Sequence, residues 1–348
     1  NSDNITKNPT PVIEGTGEID AVITLVINSK IYTATVDSSS NWSVTVSDAL
    51  PNSTHNYTVT AVDLAGNTTS KSGSIKVDTA APALVDNGLS DLSDTGSSNS
   101  DDITSDSTPV IEGTGEIDAN IKVVIHGKTY TATVDSSGKW SVHVADTLSD
   151  ATYTYTVTAV DTAGNETTRS GSIEVDTTAP LLVTSGLSDD SDTGSSNIDN
   201  ITSDVTPVIE GTSEKDADVK VVINGKTYTA TVSSIGNWSV HVADALADAT
   251  YDYTVTAKDT AGNTKTTSSS ITIDTTVPAL VNNGINDDSD TGISNSDNIT
   301  SDTTPVIEGT GENGDLITVA INNKTYTATV DSLGKWSVHV ADALADGT

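Results

Sequence analysis

Carboxylates are the side chains of this sequence whose number and spacing could do chemistry. Three acidic runs stand at one phase. Leu89–Pro109 reads LSDLSDTGSSNSDDITSDSTP, Leu187–Pro207 reads LSDDSDTGSSNIDNITSDVTP, and Ile285–Pro305 reads INDDSDTGISNSDNITSDTTP. Each follows a short Asp-x-x-x-Pro piece that begins at Asp78, Asp176 or Asp274. Oxygen-rich loops in a chain without Cys suit a hard cation, and Ca²⁺ takes six to eight oxygens in flexible geometry. The competing reading is that Asp, Asn, Ser and Gly are here as turn formers on a solvated surface. Asp288-Ser-Asp290-Thr-Gly292 looks like part of an EF-hand loop, but no terminal Glu and no flanking helices accompany it. Other chemistry is thin. His143, His241 and His339 recur in HVAD, with no second His or Cys at zinc spacing. No GxSxG elbow and no nucleophile–base pair stands out, so the chain reads as a non-enzyme.

The overall charge supports the interest in cations. The 348 residues carry 49 acidic and 15 basic side chains, a net charge of −34. That charge repels nucleic acid and anionic membranes, and it works against compactness unless something neutralises it. Absence of Cys rules out disulfide staples. No apolar run approaches 18 residues, so no insertion in a membrane is expected.

The elements that must position these acids repeat. Trp42, Trp140, Trp238 and Trp336 are 98 residues apart, and Pro82, Pro180 and Pro278 keep the same spacing. A period of 98 is too long for a solenoid and close to the size of one immunoglobulin-like sandwich. The expected domains are therefore residues 1–81 (without a first strand), 82–179, 180–277 and 278–348 (without the last two strands). The last piece should leave sheet edges unpaired. In the second repeat, alternation places Tyr130, Ala132 and Val134 on one face, then Trp140, Val142 and Val144, then Tyr153, Tyr155, Val157 and Ala159. Seven short strands result, labelled A to G: Ala83–Val85, Pro109–Gly113, Ile121–Ile125, Lys128–Val134, a strand through Trp140, one through Tyr153–Ala159, and Ser170–Val175. His126-Gly127 is a two-residue hairpin signal. The fold class is all-β: tandem seven-stranded immunoglobulin-like sandwiches in an elongated rod, each adding on the order of 30–40 Å. The tryptophans belong to the core by their alternation; an exposed one could instead stack on a sugar.

Strand order then sorts the acids. In a seven-stranded sandwich the BC, DE and FG loops share one end with the incoming linker, and the AB, CD and EF loops share the other with the outgoing linker. The third repeat gathers Asp176, Glu214, Asp216 and Asp259 at its incoming end. Its outgoing end gathers Asp189, Asp190, Asp192, Asp199, Asp248 and Asp274. Counterparts in the other repeats are Asp63, Asp78, Asp91, Asp94, Asp101, Glu116, Asp118 and Asp161, then Asp287, Asp288, Asp290, Asp297 and Glu312. Each junction should thus meet acids from both neighbours, with Ca²⁺ between them.

The ordered series DTGxSNxDNITxDxTPVIEGTGE, GKTYTATVDSxGKWSVHVADAL, YTVTAVDTAGN and VDTTAP resembles the tandem bacterial Ig-like repeats of giant type I-secreted, calcium-binding surface adhesins, of the kind found in the giant nonfimbrial Salmonella adhesin and large biofilm-associated proteins. The resemblance covers the whole chain. It implies an extracellular or cell-surface bacterial protein that adheres to host cells or biofilm matrix, with Ca²⁺ at the junctions of a stiff rod. Carried over, the junction ligands would be linker Asp78, Asp176 and Asp274 with FG-turn Asp63, Asp161 and Asp259. AB-loop Asp94, Asp192 and Asp290, with Asp101, Asp199 and Asp297, would form a second group. The expected partners are further repeats of the same chain, in a monomeric segment. The alternative is a module that binds host glycans directly.

Overall fold

The computed structural model describes residues 3–194 and 196–348. It is all-β, with 29 strands among the described residues. By internal packing the chain divides into two compact units: residues 1–180 with Lys258–Lys265, and residues 181–257 with 266–348.

The second repeat illustrates the plan. One sheet has three strands in the order Lys139–His143, Val110–Gly115, Leu84–Leu89, all antiparallel. The other has five, in the order Lys128–Thr133, Asn120–Ile125, Ala151–Val160, Glu166–Val175, Ile103–Thr104. Alternation drives this arrangement. Thr152, Thr154, Thr156 and Thr158 point outward along Ala151–Val160, while Tyr153, Tyr155, Val157 and Ala159 are buried. The two sheets meet over Ile111, Trp140 and Val142 on one side and Ile121, Val123, Tyr155 and Val157 on the other. His126 and Gly127 make the expected tight hairpin, both with positive φ (49° and 72°). Trp140, Trp238 and Trp336 are core residues, and His143 lies exposed between buried Val142 and Val144. Trp42, expected with them, is only half-buried, because among the described residues Val12–Thr16 pairs with Asn41–Thr45 alone and no strand A lies beside it.

The strand count differs from seven. Residues Ile103–Thr104, inside the acidic AB loop, pair in parallel with Glu174–Val175, giving eight strands in this repeat. Two residues are too few for a period-2 signal to show in sequence. Strand A is also longer than expected, running Leu84–Leu89 and pairing with Val110–Gly115 across a bulge at Glu112/Gly113. In residues 278–348, Leu316–Ile321 and Lys324–Thr329 form a two-stranded sheet, and Leu316 stays exposed.

A glycine fixes how closely strand A approaches. A Cβ on Gly211 would stand 2.1 Å from the Val183 carbonyl oxygen and 2.7 Å from the Trp238 ring. Gly113 and Gly309 meet the same two neighbours in their repeats. Gly211→Ala should therefore destabilise the third repeat by about 1–3 kcal/mol, measured by denaturant unfolding; a loss below the resolution of that measurement would mean that strand A can shift freely.

Among the described residues, only the second repeat places two acids behind this strand. Asp86 accepts hydrogen bonds from the Tyr155 hydroxyl at 3.0 Å and the Gly88 N–H at 3.2 Å, and Asp102 accepts from Leu89 N–H at 2.8 Å. Burial pushes the Asp86 carboxyl above its ordinary value of 3.8, with the charge of Asp102 adding to the effect. A folded pKa above the unfolded one contributes stability at low pH and loses it as pH rises through the folded value. The third and fourth repeats carry Thr184 and Asn282 here. Asp86→Asn should raise the melting temperature at pH 7 by about 2–4 °C, and the gain should vanish near pH 4. An equal gain at both pH values would assign the effect to packing instead of charge.

Candidate cation site and repeat junctions

The FG turns use their acids to build themselves. Asp161 accepts from Asn165 N–H and from the Asn165 side-chain amide, both at 2.8 Å. Asp259 accepts from Gly262 N–H (2.7 Å), Asn263 N–H (2.8 Å) and the Asn263 amide (3.0 Å). Asp63 repeats the pattern with Ala65 and Asn67, and the Asn67 amide holds its carboxyl below the ordinary carboxylate value. The same asparagines reach the preceding linker. Asn165 donates to the Asp78 backbone carbonyl, and Asn263 to that of Asp176, each at 2.8 Å. Turn and linker acids therefore do come together, joined here through a main-chain oxygen and an amide.

The linker carboxylates have local partners. Asp78, Asp176 and Asp274 accept from Ala80, Thr178 and Thr276 N–H at 3.2, 3.0 and 2.9 Å. The EF-loop acids hold the next residues: Asp150 accepts from the N–H and hydroxyl of Thr177 and the hydroxyl of Thr178, and Asp248 does the same for Thr275 and Thr276. These clamps fix the outgoing linker to its own repeat.

The AB loops differ. Asp94, Asp192 and Asp290 are buried, at 5%, 5% and 4% exposure. In each, one oxygen accepts a backbone N–H, from Asp102 (3.3 Å), Asn200 (3.1 Å) or Asn298 (3.1 Å). The other oxygen, Oδ1, is buried without a partner in all three. Burial pushes the Asp94 carboxyl up, and the neighbouring Asp101 and Asp102 charges add to that. The loop is otherwise well tied: Ser93 donates to Asp106 at 3.0 Å, and Thr104 donates to the Ser93 carbonyl.

The remaining candidates are exposed: Asp91, Asp101, Asp189, Asp190, Asp199, Asp287, Asp288 and Asp297 in the AB loops, and Glu116, Asp118, Glu214, Asp216 and Glu312 in the BC turns. Asp118 and Asp216 occupy positive-φ turn positions (64° and 65°). Among the described residues, no group of three or more acids or histidines is arranged to hold a metal ion.

Within the unit of residues 1–180 and 258–265, the second repeat's AB loop meets the turn that contains Asp259. Thr95 donates to the Ala261 carbonyl at 2.5 Å, Ser97 N–H reaches the Thr260 carbonyl at 3.4 Å, and Lys258 donates to the Gly96 carbonyl at 3.0 Å. Gly96 has φ 106°, and a Cβ there would lie 1.9 Å from the Thr260 oxygen. Lys7 makes a related contact, donating to the Gly164 carbonyl at 2.7 Å. Sequence reading missed these lysines, because a single Lys in a Thr-rich run carries no pattern. It also missed a cluster found in every repeat. Tyr32, Tyr130, Tyr228 and Tyr326 donate to Asp48, Asp146, Asp244 and Asp342 at 2.7–2.8 Å, with a Lys alongside each acid. The signal was present in the recurring GKTY and VADAL pieces.

Comparison with known proteins matches the bacterial Ig-like domain model four times, at residues 1–79, 81–177, 178–275 and 276–348. None of the curated proteins matches. Among solved structures, a Ca²⁺-stabilised adhesin with which an Antarctic bacterium reaches out and binds ice is 33% identical, covering 98% of this chain and 88% of that one (TM-score 0.34). A 1.5-MDa bacterial ice-binding adhesin is 28% identical, covering 78% and 94% (TM-score 0.33). A tetra-tandem repeat from the extending region of a large adhesion protein is 21% identical, covering 100% and 91% (TM-score 0.31).

The Lys258 contact gives a local test. Val160 holds the equivalent place one repeat earlier. Lys258→Val should speed amide hydrogen exchange at Gly96–Ser97 and Thr260–Gly262 by about fivefold, the worth of roughly 1 kcal/mol. Unchanged exchange would leave the contact to Thr95 and Ser97 alone.

Proposed function

Because the chain belongs to the bacterial Ig-like domain family in four tandem copies, we propose that it is a calcium-stiffened repeat segment of a large bacterial surface adhesin, serving as a spacer outside the cell. One observation carries the calcium part of this reading: three buried carboxylate oxygens, at Asp94, Asp192 and Asp290, with no donor. A buried, unpaired anion costs several kcal/mol and is normally neutralised by a proton, a basic side chain or a metal. The sequence from Ala83 to Pro109 contains no Lys, Arg or His, and neither do the corresponding stretches of the next two repeats. All-oxygen surroundings and repeated carboxylates fit Ca²⁺ better than a softer metal. The bound ion would supply positive charge at the ends of repeats that together carry −34.

The chain's own residues do the positioning. Asp150 and Asp248 fix the outgoing linkers of the second and third repeats, Asn165 and Asn263 grip the linkers at Asp78 and Asp176 from the following turn, and the second repeat's AB loop abuts the turn that holds Asn263. Less bending at such junctions translates directly into reach, which is what a spacer supplies. The reading also accounts for the lack of a nucleophile–base pair.

Direct glycan binding is the weaker reading. Its stacking platform would be a tryptophan face; Trp140, Trp238 and Trp336 are 3%, 1% and 5% exposed, and Trp42 alone is half-buried, packed against the first repeat's core.

Chelation tests the proposal. Adding EDTA to the calcium-loaded chain should lower its melting temperature by about 10 °C, the effect of an ion present at 100 times its Kd. Small-angle scattering should report a wider spread of dimensions at the same time. If neither quantity responds to chelation, calcium stiffening is wrong.

A further inference from the structure

The second, third and fourth repeats share a groove that one strand fills. Leu84–Leu89, Leu182–Leu187 and Val281–Ile285 lie antiparallel to Val110–Gly115, Val208–Ser213 and Val306–Thr310, each with a register shift at the same place. The shift decides which side chains go in. Leu84 and Leu89 are five residues apart, a spacing that puts them on opposite faces of a straight strand, yet both are buried, as are Leu182 and Leu187. Leu280 and Ile285 keep the spacing, and a glycine precedes the second residue in every case. Backbone bonds frame the strand at both ends. Glu116 and Glu214 N–H donate to the carbonyls of Ala83 and Leu181, and Ser90 and Ser188 N–H donate to those of Val110 and Val208.

In the first repeat, among the described residues, that place is open. Val12–Thr16 pairs with Asn41–Thr45 alone. A cavity of about 610 Å³ lies against it, and Ile13, Gly15, Ile23, Trp42, Tyr57 and Val59 line it. The rest of the frame is in position. Asn4 has φ 56°, as Asn200 (60°) and Asn298 (57°) do, and the latter two accept the N–H of Leu187 and Ile285 through their side chains, both at 2.8 Å. Ile5–Thr6 pairs with Lys76–Val77. A Cβ on Gly15 would meet the Trp42 ring at 2.8 Å with no carbonyl nearer, whereas on Gly113, Gly211 or Gly309 it would lie 2.2, 2.1 or 2.0 Å from a strand A carbonyl. The first repeat thus keeps bare backbone at the point where a strand's carbonyl must pass.

We propose that the first repeat is a peptide-binding site, which takes an unpaired, extended segment of another polypeptide as its strand A. The main chain supplies half of the recognition, since the free N–H and C=O groups of an edge strand pair with any extended backbone. In register with the second repeat, Glu18 N–H and the Val12 carbonyl hold the two ends of that segment. The apolar cavity supplies the other half. It selects two aliphatic side chains five residues apart with a glycine before the second, so that the segment can bulge and turn both inward. A small molecule or a sugar would leave the edge groups unpaired. The site needs no cation and is independent of the calcium reading.

The probe is a synthetic peptide of Ala81–Ser90 with blocked ends, added to the full 348-residue chain. Binding should shift tryptophan emission to the blue, because Trp42 is half-buried while Trp140, Trp238 and Trp336 are already core. At about ten times its Kd the peptide should slow amide exchange at Glu18 about tenfold. Exchange at Glu116 and Glu214, whose grooves are filled, should stay unchanged. A peptide carrying both Leu84→Asp and Leu89→Asp should bind at least about tenfold more weakly. Gly15→Ala in the chain should weaken the parent peptide by a similar factor, since its Cβ takes the carbonyl's place. Circular dichroism establishes that this variant is folded; if it is not, the comparison of the two peptides decides alone. No binding at millimolar peptide overturns the proposal, and so does equal binding of the double-Asp peptide. A chain that sediments as a dimer with Glu18 already protected also overturns it, giving the groove to a second copy.

Discussion

Forty-nine carboxylates share fifteen basic side chains in this chain, so most acids must find their donors on the backbone. That constraint shapes many of the loops. Asp37, Asp135 and Asp331 each take two N–H groups from the turn that follows them. Asp63, Asp161 and Asp259 close the FG turns in the same manner, and Asp106, Asp204 and Asp302 cap the entry to the second strand. Turn amides are acceptable partners, since an ionised acceptor roughly doubles the strength of a neutral hydrogen bond. An acidic chain can therefore fold into tight turns without lysines. The acids for which this solution fails are then the informative ones.

Much of the fold was legible in the sequence because it depends on a period of two and a period of 98. The pairing of Ile111 with Val142 and of Gly113 with Trp140 follows once both strands present the same face. Trp140, Trp238 and Trp336 and the tyrosines of the second repeat lie where alternation put them, while Trp42 is only half-buried. The EF loop and the FG turn lie beside the outgoing and incoming linkers that strand order gives them, in the contacts of Asp150 with Thr177 and of Asn165 with Asp78. What stayed hidden has a common cause. Ile103–Thr104, Lys258 and the Thr95–Ser97 docking segment act through single backbone contacts, and these leave no periodic trace.

The candidate site was legible by composition and not by role. Counting carboxylates gave equal standing to Asp161, Asp176 and Asp192, which share an Asp-rich context. Geometry separates them. Asp161 organises a turn, Asp176 offers its carbonyl to Asn263, and Asp192 alone keeps a buried oxygen free. Sequence cannot make this distinction, because it turns on whether an Asn four residues on returns a side-chain amide to the acid. Asn165 and Asn263 do so for the turns. In the AB loops, the amide of Asn200 or Asn298 is replaced in that service by a backbone N–H, which reaches one oxygen only.

This difference bears on how a repeat array resists bending. The contact of the second repeat's AB loop with the following turn asks little of the turn's side chains: free carbonyls there, and a residue as small as Gly96 on the loop. The FG turn supplies such carbonyls at Thr260 and Ala261 whatever its side chains are. Because the backbone carries this contact, the turn's outward side chains are under little constraint from the junction. Lys258 can then add its own tie at one junction and Lys7 at another, without disturbing the common plan.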